Sequence, residues 1–178
     1  MPSAMGRRES HHRRFAPLLL ALSLAWLAPA AVAATTTFAP PGEHLSVLAP
    51  PNPTAKDTEE SGTQIREWTA EDDGLFYLVQ HGVHPGTVFQ ATQLDADLKD
   101  FVGGTGCTIT AQRTTTVPGP DGPLAALRIA FTMPNGAPGE GLWTIMGDEA
   151  FGAVILDMSR AGRQGPMDAF VDSLRIVK

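Results

Sequence analysis

The fold is decided by residues 107–158, which read CTITAQRTTTVPGPDGPLAALRIAFTMPNGAPGEGLWTIMGDEAFGAVILDM. Apolar and polar residues alternate over much of this stretch, as they do on half-buried β-strands. Turns rich in proline and glycine interrupt the alternation at residues 118–122 and 135–140. Because consecutive strands joined by short turns run antiparallel, the stretch predicts four antiparallel strands, Cys107–Val117, Leu124–Met133, Leu142–Met146 and Phe151–Met158.

Three further strands are predicted upstream. Residues 44–48 alternate in polarity and are followed by a run of prolines that ends the strand. Residues 54–62 are polar and charged, which predicts a solvated loop. Residues 63–69 and 75–81 are strand-like and are joined through Asp73-Gly74, a strong hairpin signal. Since residues 75–81 carry large apolar side chains toward both faces, this strand is expected to be central.

Two amphipathic helices are predicted. The first begins at Thr92, whose hydroxyl is placed to cap the helix with Asp95 three residues on, and ends at Gly103-Gly104. Its apolar stripe consists of Leu94, Leu98, Phe101 and Val102, which leaves Asp97 on the opposite face. The second begins at Gly165-Pro166, because proline is tolerated in a first helical turn. Its buried stripe consists of Met167, Phe170, Val171 and Leu174.

The element order is therefore β-β-β-α-β-β-β-β-α. Such an order predicts an α+β fold, in which an antiparallel sheet of about six to seven strands is flanked by two helices in a layered sandwich. We expect a single domain over residues 44–178, preceded by a flexible leader at 34–43. The strand–helix alternation of a doubly wound nucleotide-binding fold is missing from the pattern.

The two ends of this domain resemble the PsbP-like fold. Leu45–Pro50 is similar to its opening strand followed by proline, and Phe170–Ile176 resembles the phenylalanine-aspartate-serine ending of small exported bacterial proteins with that fold. The resemblance covers about residues 44–178. It implies a non-catalytic accessory or binding protein, although known members range from a photosystem extrinsic subunit to a Ran-binding import factor. Because these partners differ so much, no functional residue is carried over.

Residues 1–33 have the pattern of a secretory signal peptide. Four arginines precede an apolar run at residues 15–27, and small residues follow, with Ala31-x-Ala33 as the expected cleavage site before Ala34. The alternative, a transmembrane anchor, requires about 20 mostly apolar residues, and this run is shorter, contains Pro17 and is followed by Pro29. The sequence thus predicts a periplasmic or secreted protein with no membrane span after processing.

Removal of the signal leaves a strongly acidic chain with 9 basic and 18 acidic side chains and no basic run. Binding to nucleic acid or to an anionic membrane surface requires clustered lysine or arginine. Neither is expected as a partner, which leaves an unknown protein or a small ligand. No cofactor motif is recognised, and no cofactor is predicted.

Cys107 is the one cysteine of the chain. It cannot form an internal disulfide, and its place in an alternating strand with Ile109 and Ala111 predicts a small buried hydrophobe. A catalytic thiol would require a nearby histidine or helix N-terminus to lower its pKa, and neither is adjacent. An intermolecular disulfide stays open as an alternative.

Metal binding is not predicted. His81 and His84 are three residues apart, which places them on opposite faces of a strand unless the strand breaks at Gly82. No further ligand stands at zinc-site spacing. The acidic pairs and triplets at residues 71–73 and 148–149 lack the glycine-spaced loop of a calcium motif and are interpreted as hairpin turns.

Asp157 lies within an apolar strand and requires a partner if it is buried. Arg128 or Arg113 on neighbouring strands could supply that partner; a sheet face open to solvent is the alternative, and both are favoured over a catalytic role. Trp68 and Trp143 are expected to pack in the sheet, with a cleft-lining position for one of them as the alternative.

The predicted function is that of an exported cell-envelope protein that binds a protein or small ligand without catalysis. The alternative is a hydrolase or other enzyme whose site is assembled from residues distant in sequence, since no serine lies in a nucleophile-elbow motif. A cleft that gathers His81, His84 or Asp157 would favour catalysis, whereas an apolar groove or patch would favour binding. No catalytic residue is assigned.

Overall fold

The computed structural model describes residues 35–178, which form ten strands and two helices. The predicted signal peptide at residues 1–33 lies outside the described residues. In chain order the elements are β1 (Thr36–Phe38), β2 (Leu45–Ala49), β3 (Thr54–Glu60), β4 (Thr63–Asp72), β5 (Leu75–Val83), α1 (Gln93–Thr105), β6 (Thr108–Gly119), β7 (Gly122–Thr132), β8 (Pro138–Met146), β9 (Glu149–Asp157), α2 (Gln164–Val171) and β10 (Arg175–Ile176).

The main sheet has seven antiparallel strands in the order β3-β4-β5-β9-β8-β7-β6. β5 and β9 lie near its middle and are the most deeply buried strands, which confirms the central position predicted for residues 75–81. The hairpin from β4 to β5 turns at Asp73 and Gly74, whose φ angles are 47° and 71°. Positive φ at both turn residues matches the twist of the flanking strands.

Each face of this sheet is covered by a different layer. The first face, which carries Trp68, Tyr77 and Ile155, packs against α2 and a small three-stranded sheet of β1, β2 and β10. The second face, which carries Leu78, Phe131 and Leu156, packs against α1. The predicted α+β layered sandwich is confirmed. Neither helix in this part of the chain is long and apolar enough to cross a membrane.

Two segments predicted to be irregular are strands. β1 falls within the expected leader at 34–43 and pairs with β2, from Thr36 opposite Ala49 to Phe38 opposite Val47. β3 replaces the loop predicted at 54–62 and pairs with β4 along its whole length, although all seven of its residues are exposed. An edge strand is held by backbone hydrogen bonds on one side alone, so it needs no apolar alternation that a sequence would reveal.

The ends of α1 also differ from the prediction. Thr92 already has helical backbone angles and its hydroxyl makes no capping hydrogen bond. The helix continues through Gly103 and Gly104 and ends at Gly106, which takes the left-handed conformation with φ 67° while its N–H donates to the Val102 carbonyl. Gly106, rather than Gly103 or Gly104, is therefore the C-terminal cap, because a left-handed residue at this position lets its N–H bond a carbonyl of the last helical turn.

Candidate ligand groove beneath helix α1

A groove runs between α1 and the second face of the sheet, over β5, β9 and β8. We call it the α1 groove; its principal lining residues are Gln80, Leu94, Asp97, Asp100, Phe101 and Trp143. The helix contributes the acidic and two of the apolar side chains, and the strands contribute the indole and the amide. Aromatic and apolar walls with a few polar groups are typical of small-molecule sites.

The floor of the groove is an indole ring lying flat on two glycines. A Cβ atom added to Gly141 would lie 2.1 Å from the Trp143 ring, and one added to Gly152 would lie 3.1 Å from it. Glycine at these positions therefore provides the space in which the ring lies. The Phe101 ring packs beside it with a centroid distance of 5.2 Å and an interplanar angle of 59°. Together these rings form a fixed aromatic surface.

Carboxyl groups lie around this aromatic surface. Burial and, to a lesser extent, the neighbouring charge of Asp100 together raise the pKa of Asp97 to about 7. Gln80 donates to Glu67 over 3.2 Å, and burial raises the pKa of Glu67 although Lys56 and this hydrogen bond oppose the shift. Asp97 was expected on the outer face of α1. It lies instead half-buried toward the sheet, and no cation of the described residues pairs with it. The groove therefore has a negative edge at Asp97.

His81 lies on the first face, away from the α1 groove. It is 6% exposed, its ring stacks on Phe151 at 4.7 Å, and its Nδ1 hydrogen-bonds Glu43. Its Nε2 lies 3.8 Å from a Glu149 carboxylate oxygen. Arg66 donates to the other oxygen of Glu43 over 2.8 Å. These contacts join the segment before β2 to the sheet.

His84 and Asp157 do not join His81. The Nδ1 of His84 lies 2.9 Å from the Thr63 hydroxyl, in the segment that follows β5. Asp157 is fully buried at the opposite end of β9 from Glu149. The three residues do not share one cleft; His81 lines a separate polar depression with Glu43, Asp57 and Arg66. Within residues 35–178, no group of three or more histidine, cysteine, aspartate or glutamate side chains has an arrangement suited to a metal ion.

The prediction that Asp157 pairs with Arg128 or Arg113 is wrong. Asp157 accepts hydrogen bonds from the Ser159 hydroxyl at 2.5 Å, from the Arg163 backbone N–H at 3.1 Å and from the Arg163 guanidinium at 3.2 Å. Arg128 instead binds the carboxylates of Glu140, Asp168 and Asp172. The turn after β9 returns Arg163 over the strand end, and strand alternation alone does not reveal such a return.

The remaining predictions for polar residues concern turns and Cys107. The acidic turns are held by an ion pair from Arg163 to Asp73 at 2.7 Å and by a hydrogen bond between His44 and Glu149 at 2.9 Å. Cys107 is buried in the apolar cluster beneath α1, as expected. Ala111 does not share its face, because a β-bulge lies between Ile109 and Ala111 and shifts the alternation by one residue.

Sequence reasoning named Trp143 as a possible cleft residue but missed the two aspartates of α1. The available signal was their spacing: Asp97 and Asp100 are three residues apart and share a side of the helix with Leu94 and Phe101. A second signal was the Gly141-x-Trp143 pattern opposite Gly152, which leaves room for an indole on the sheet.

No protein-family model matches this chain, and no curated protein matches it by sequence. Among solved structures, it is similar to cyanobacterial PsbP (CyanoP) from Synechocystis sp. PCC 6803, with a TM-score of 0.57 over 86% of this chain and 98% of that one, at 9% identity. The chain has the PsbP-like fold. The resemblance noted in the sequence is thereby confirmed, and at this identity the likeness concerns the fold alone.

A second similar structure is a protein from Bacteroides thetaiotaomicron VPI-5482. It is 14% identical, and the match covers 82% of this chain and 49% of that chain, with a TM-score of 0.38. The PsbP-like chain described here thus spans about half the length of that protein.

Proposed function

We propose that the protein is an exported, non-catalytic binding module that holds a small organic cation in the α1 groove. In this proposal residues 1–33 are a cleaved signal peptide, and the PsbP-like domain at 44–178 acts in the periplasm or outside the cell. The fold supports the accessory role only in general terms, because one fold serves many functions. The groove supplies the specific support.

The observation that carries the proposal is the combination of Trp143 on its glycine floor with the unneutralised carboxyl of Asp97 beside it. The face of an indole attracts a cation, and this attraction is stronger when the cation is partly desolvated. A ligand with an apolar body and an ammonium group would place its body on the aromatic surface and its charge beside Asp97 and Asp100. The strongly acidic chain favours such a ligand over an anionic one.

The positions of the other candidate groups support binding rather than catalysis. His81 is held by Glu43 and Phe151, and Asp157 is held by Ser159 and Arg163. The residues that line the α1 groove include no histidine, cysteine or serine. A nucleophile next to a general base is the usual signature of covalent catalysis, so the groove is better suited to holding a ligand.

The test uses three probes that share a phenyl ring and carry a polar group of different charge: phenethylamine, 2-phenylethanol and phenylacetate. We expect the amine to bind most tightly and the acid least, measured by calorimetry and by the fluorescence of Trp143. Trp143→Ala should abolish binding of all probes. The double variant Asp97→Asn/Asp100→Asn should retain the alcohol and lose the preference for the amine. Asp95→Asn, which removes one carboxylate from the exposed side of α1, should leave the preference intact.

The pH dependence gives a further readout of the same experiment. Because the pKa of Asp97 is raised to about 7, its carboxylate forms as the pH rises from 6 to 8. Binding of the amine should therefore strengthen over this interval, while binding of 2-phenylethanol should not change. If the three probes bind equally, or if Trp143→Ala binds them unchanged, the α1 groove is not the ligand site.

A further inference from the structure

The main sheet has two edge strands, and they differ in how they are protected. β3 carries four charged side chains among seven residues, Lys56, Asp57, Glu59 and Glu60. β6 carries one charged side chain, Arg113, among twelve residues. Proteins usually guard an edge with charges, prolines or bulges, since an open edge can pair with another chain. In β6 the bulge and Pro118 lie toward the two ends, so residues 111–117 form an unguarded regular stretch.

The outer side of β6 makes no ladder with another strand of residues 35–178. Among the described residues, the backbone hydrogen bonds made outside helices and sheet ladders do not involve any residue of β6. Its one ladder partner is β7. Most residues of the strand are exposed, and Val117 is its one buried residue. β10 lies against β6 without pairing with it, and Val117 is buried in the same cluster as Ile176, so an extended segment could add to the part of this edge that β10 does not cover.

The surroundings of the edge differ between the two faces. On the second face, Leu98 and Val102 of α1 and Ile109 of β6 line an open apolar depression. On the first face, Arg113 lies beside Arg128 across the β6–β7 pair, and the carboxylates of Glu140 and Asp168, which pair with Arg128, line the same depression. The arginine ion pairs of the described residues use Arg66, Arg128 and Arg163 but not Arg113. The edge thus presents an apolar surface on one side and an unpaired cation on the other.

We propose that β6 docks an extended segment of a partner protein, which adds to the sheet as an eighth strand. Side chains of a strand alternate between faces, so the segment that fits has an acidic residue opposite Arg113 and apolar residues on either side of it. The acidic residue would pair with Arg113 on the first face, and its apolar neighbours would point toward Leu98 and Val102. Main-chain bonds supply affinity in this mode of recognition, and the alternate side chains supply specificity. This surface is separate from the α1 groove and does not depend on it.

The test uses the capped peptide acetyl-STVEVTS-amide with the processed protein, followed by amide hydrogen exchange and by nitrogen–proton chemical shifts. We expect slower exchange at alternate amides within residues 111–117 and no protection in β3. A matched peptide with lysine in place of glutamate should bind more weakly. A peptide N-methylated at alternate residues should lose binding, because it cannot complete the ladder.

Charge reversal on the protein gives the deciding comparison. Arg113→Glu should invert the order of the two peptides, so that the lysine peptide binds more tightly. Arg160→Glu, an equal change at another exposed arginine, should leave the order as it was. An unchanged order in Arg113→Glu, or protection of amides outside β6, would overturn the proposal. So would concentration-dependent dimerisation in sedimentation that Arg113→Glu abolishes, because the edge would then be occupied by a second copy.

Discussion

At the scale of single residues, Asp157 is a charged group buried in the protein. A carboxylate with no exposed surface is costly unless hydrogen bonds replace its hydration. Burial alone would raise the pKa of Asp157, but the hydrogen bonds from Ser159 and Arg163 outweigh it and hold the pKa at about 2. Since Arg163 also pairs with Asp73, this carboxylate ties the turn after β9 to the β4–β5 hairpin.

Asp157→Asn should destabilise the protein in a pH-dependent manner. A folded-state pKa near 2, against an ordinary value of 3.8, stabilises the fold by about 2 kcal/mol at neutral pH. Because the folded pKa is depressed, this stabilisation is present above pH 4 and is lost as the pH falls toward 2. Urea unfolding at pH 7 and pH 2.5 measures it, and the difference between wild type and variant should shrink at the lower pH.

Asp73→Asn provides the control for this residue. It removes a partner of the same arginine, but Asp73 is exposed, and exposed ion pairs contribute little. Equal losses of stability in Asp157→Asn and Asp73→Asn would contradict the role given to Asp157.

At the scale of elements, α2 and the residues after it complete the core on the first face. Met167, Phe170, Val171 and Leu174 are each no more than 2% exposed, as their spacing predicted. The Phe170 ring meets Tyr77 edge-on at a centroid distance of 5.2 Å. The Ser173 hydroxyl accepts a hydrogen bond from the Leu48 N–H at 2.8 Å, so the segment is also joined to β2. It is therefore part of the domain rather than a detachable tail.

Truncation of Phe170 to alanine should cost about 3–5 kcal/mol of the free energy of unfolding, the range for fully buried phenylalanines. Phe101→Ala in α1 is the matched comparison and should cost less, because that ring is half-buried beside the groove. Both values come from urea unfolding at one pH. A small, equal loss at the two positions would show that α2 is peripheral, and the account of the first face would be wrong.

At the scale of the whole molecule, the chain is a PsbP-like domain preceded by a segment with the features of an export signal. The proposed location depends on that segment, which lies outside the described residues 35–178. The domain itself is acidic and has an extensive antiparallel sheet, with α1 on one face and α2 and the small sheet on the other.

Export should remove residues 1–33. Protein recovered from the periplasm or the medium should have an intact mass that begins at Ala34. A variant with Ala31 and Ala33 both changed to a large residue such as leucine should keep the longer chain, since small residues are required at the cleavage site. Recovery of the unprocessed wild-type chain in the membrane fraction would contradict the proposed location.

The local elements followed from the sequence by itself. The sequence predicted the strands of residues 63–158, the apolar stripes of both helices and the burial of Cys107. Strands and helices repeat every two and 3.6 residues, so the polarity of neighbouring side chains reveals them. The same rule explains why β1 and β3 were not predicted as strands: they are held by backbone pairing and carry no apolar alternation.

The site depended on tertiary structure. Asp157 meets Arg163 rather than Arg128, His81 and Asp157 lie at opposite ends of the sheet, and Asp97 comes to lie beside a ring that is 46 positions away in the sequence. Each of these outcomes is set by how α1, α2 and the turns lie across the sheet. A contact between distant residues has no local period, so only the folded chain decides which polar groups share a groove.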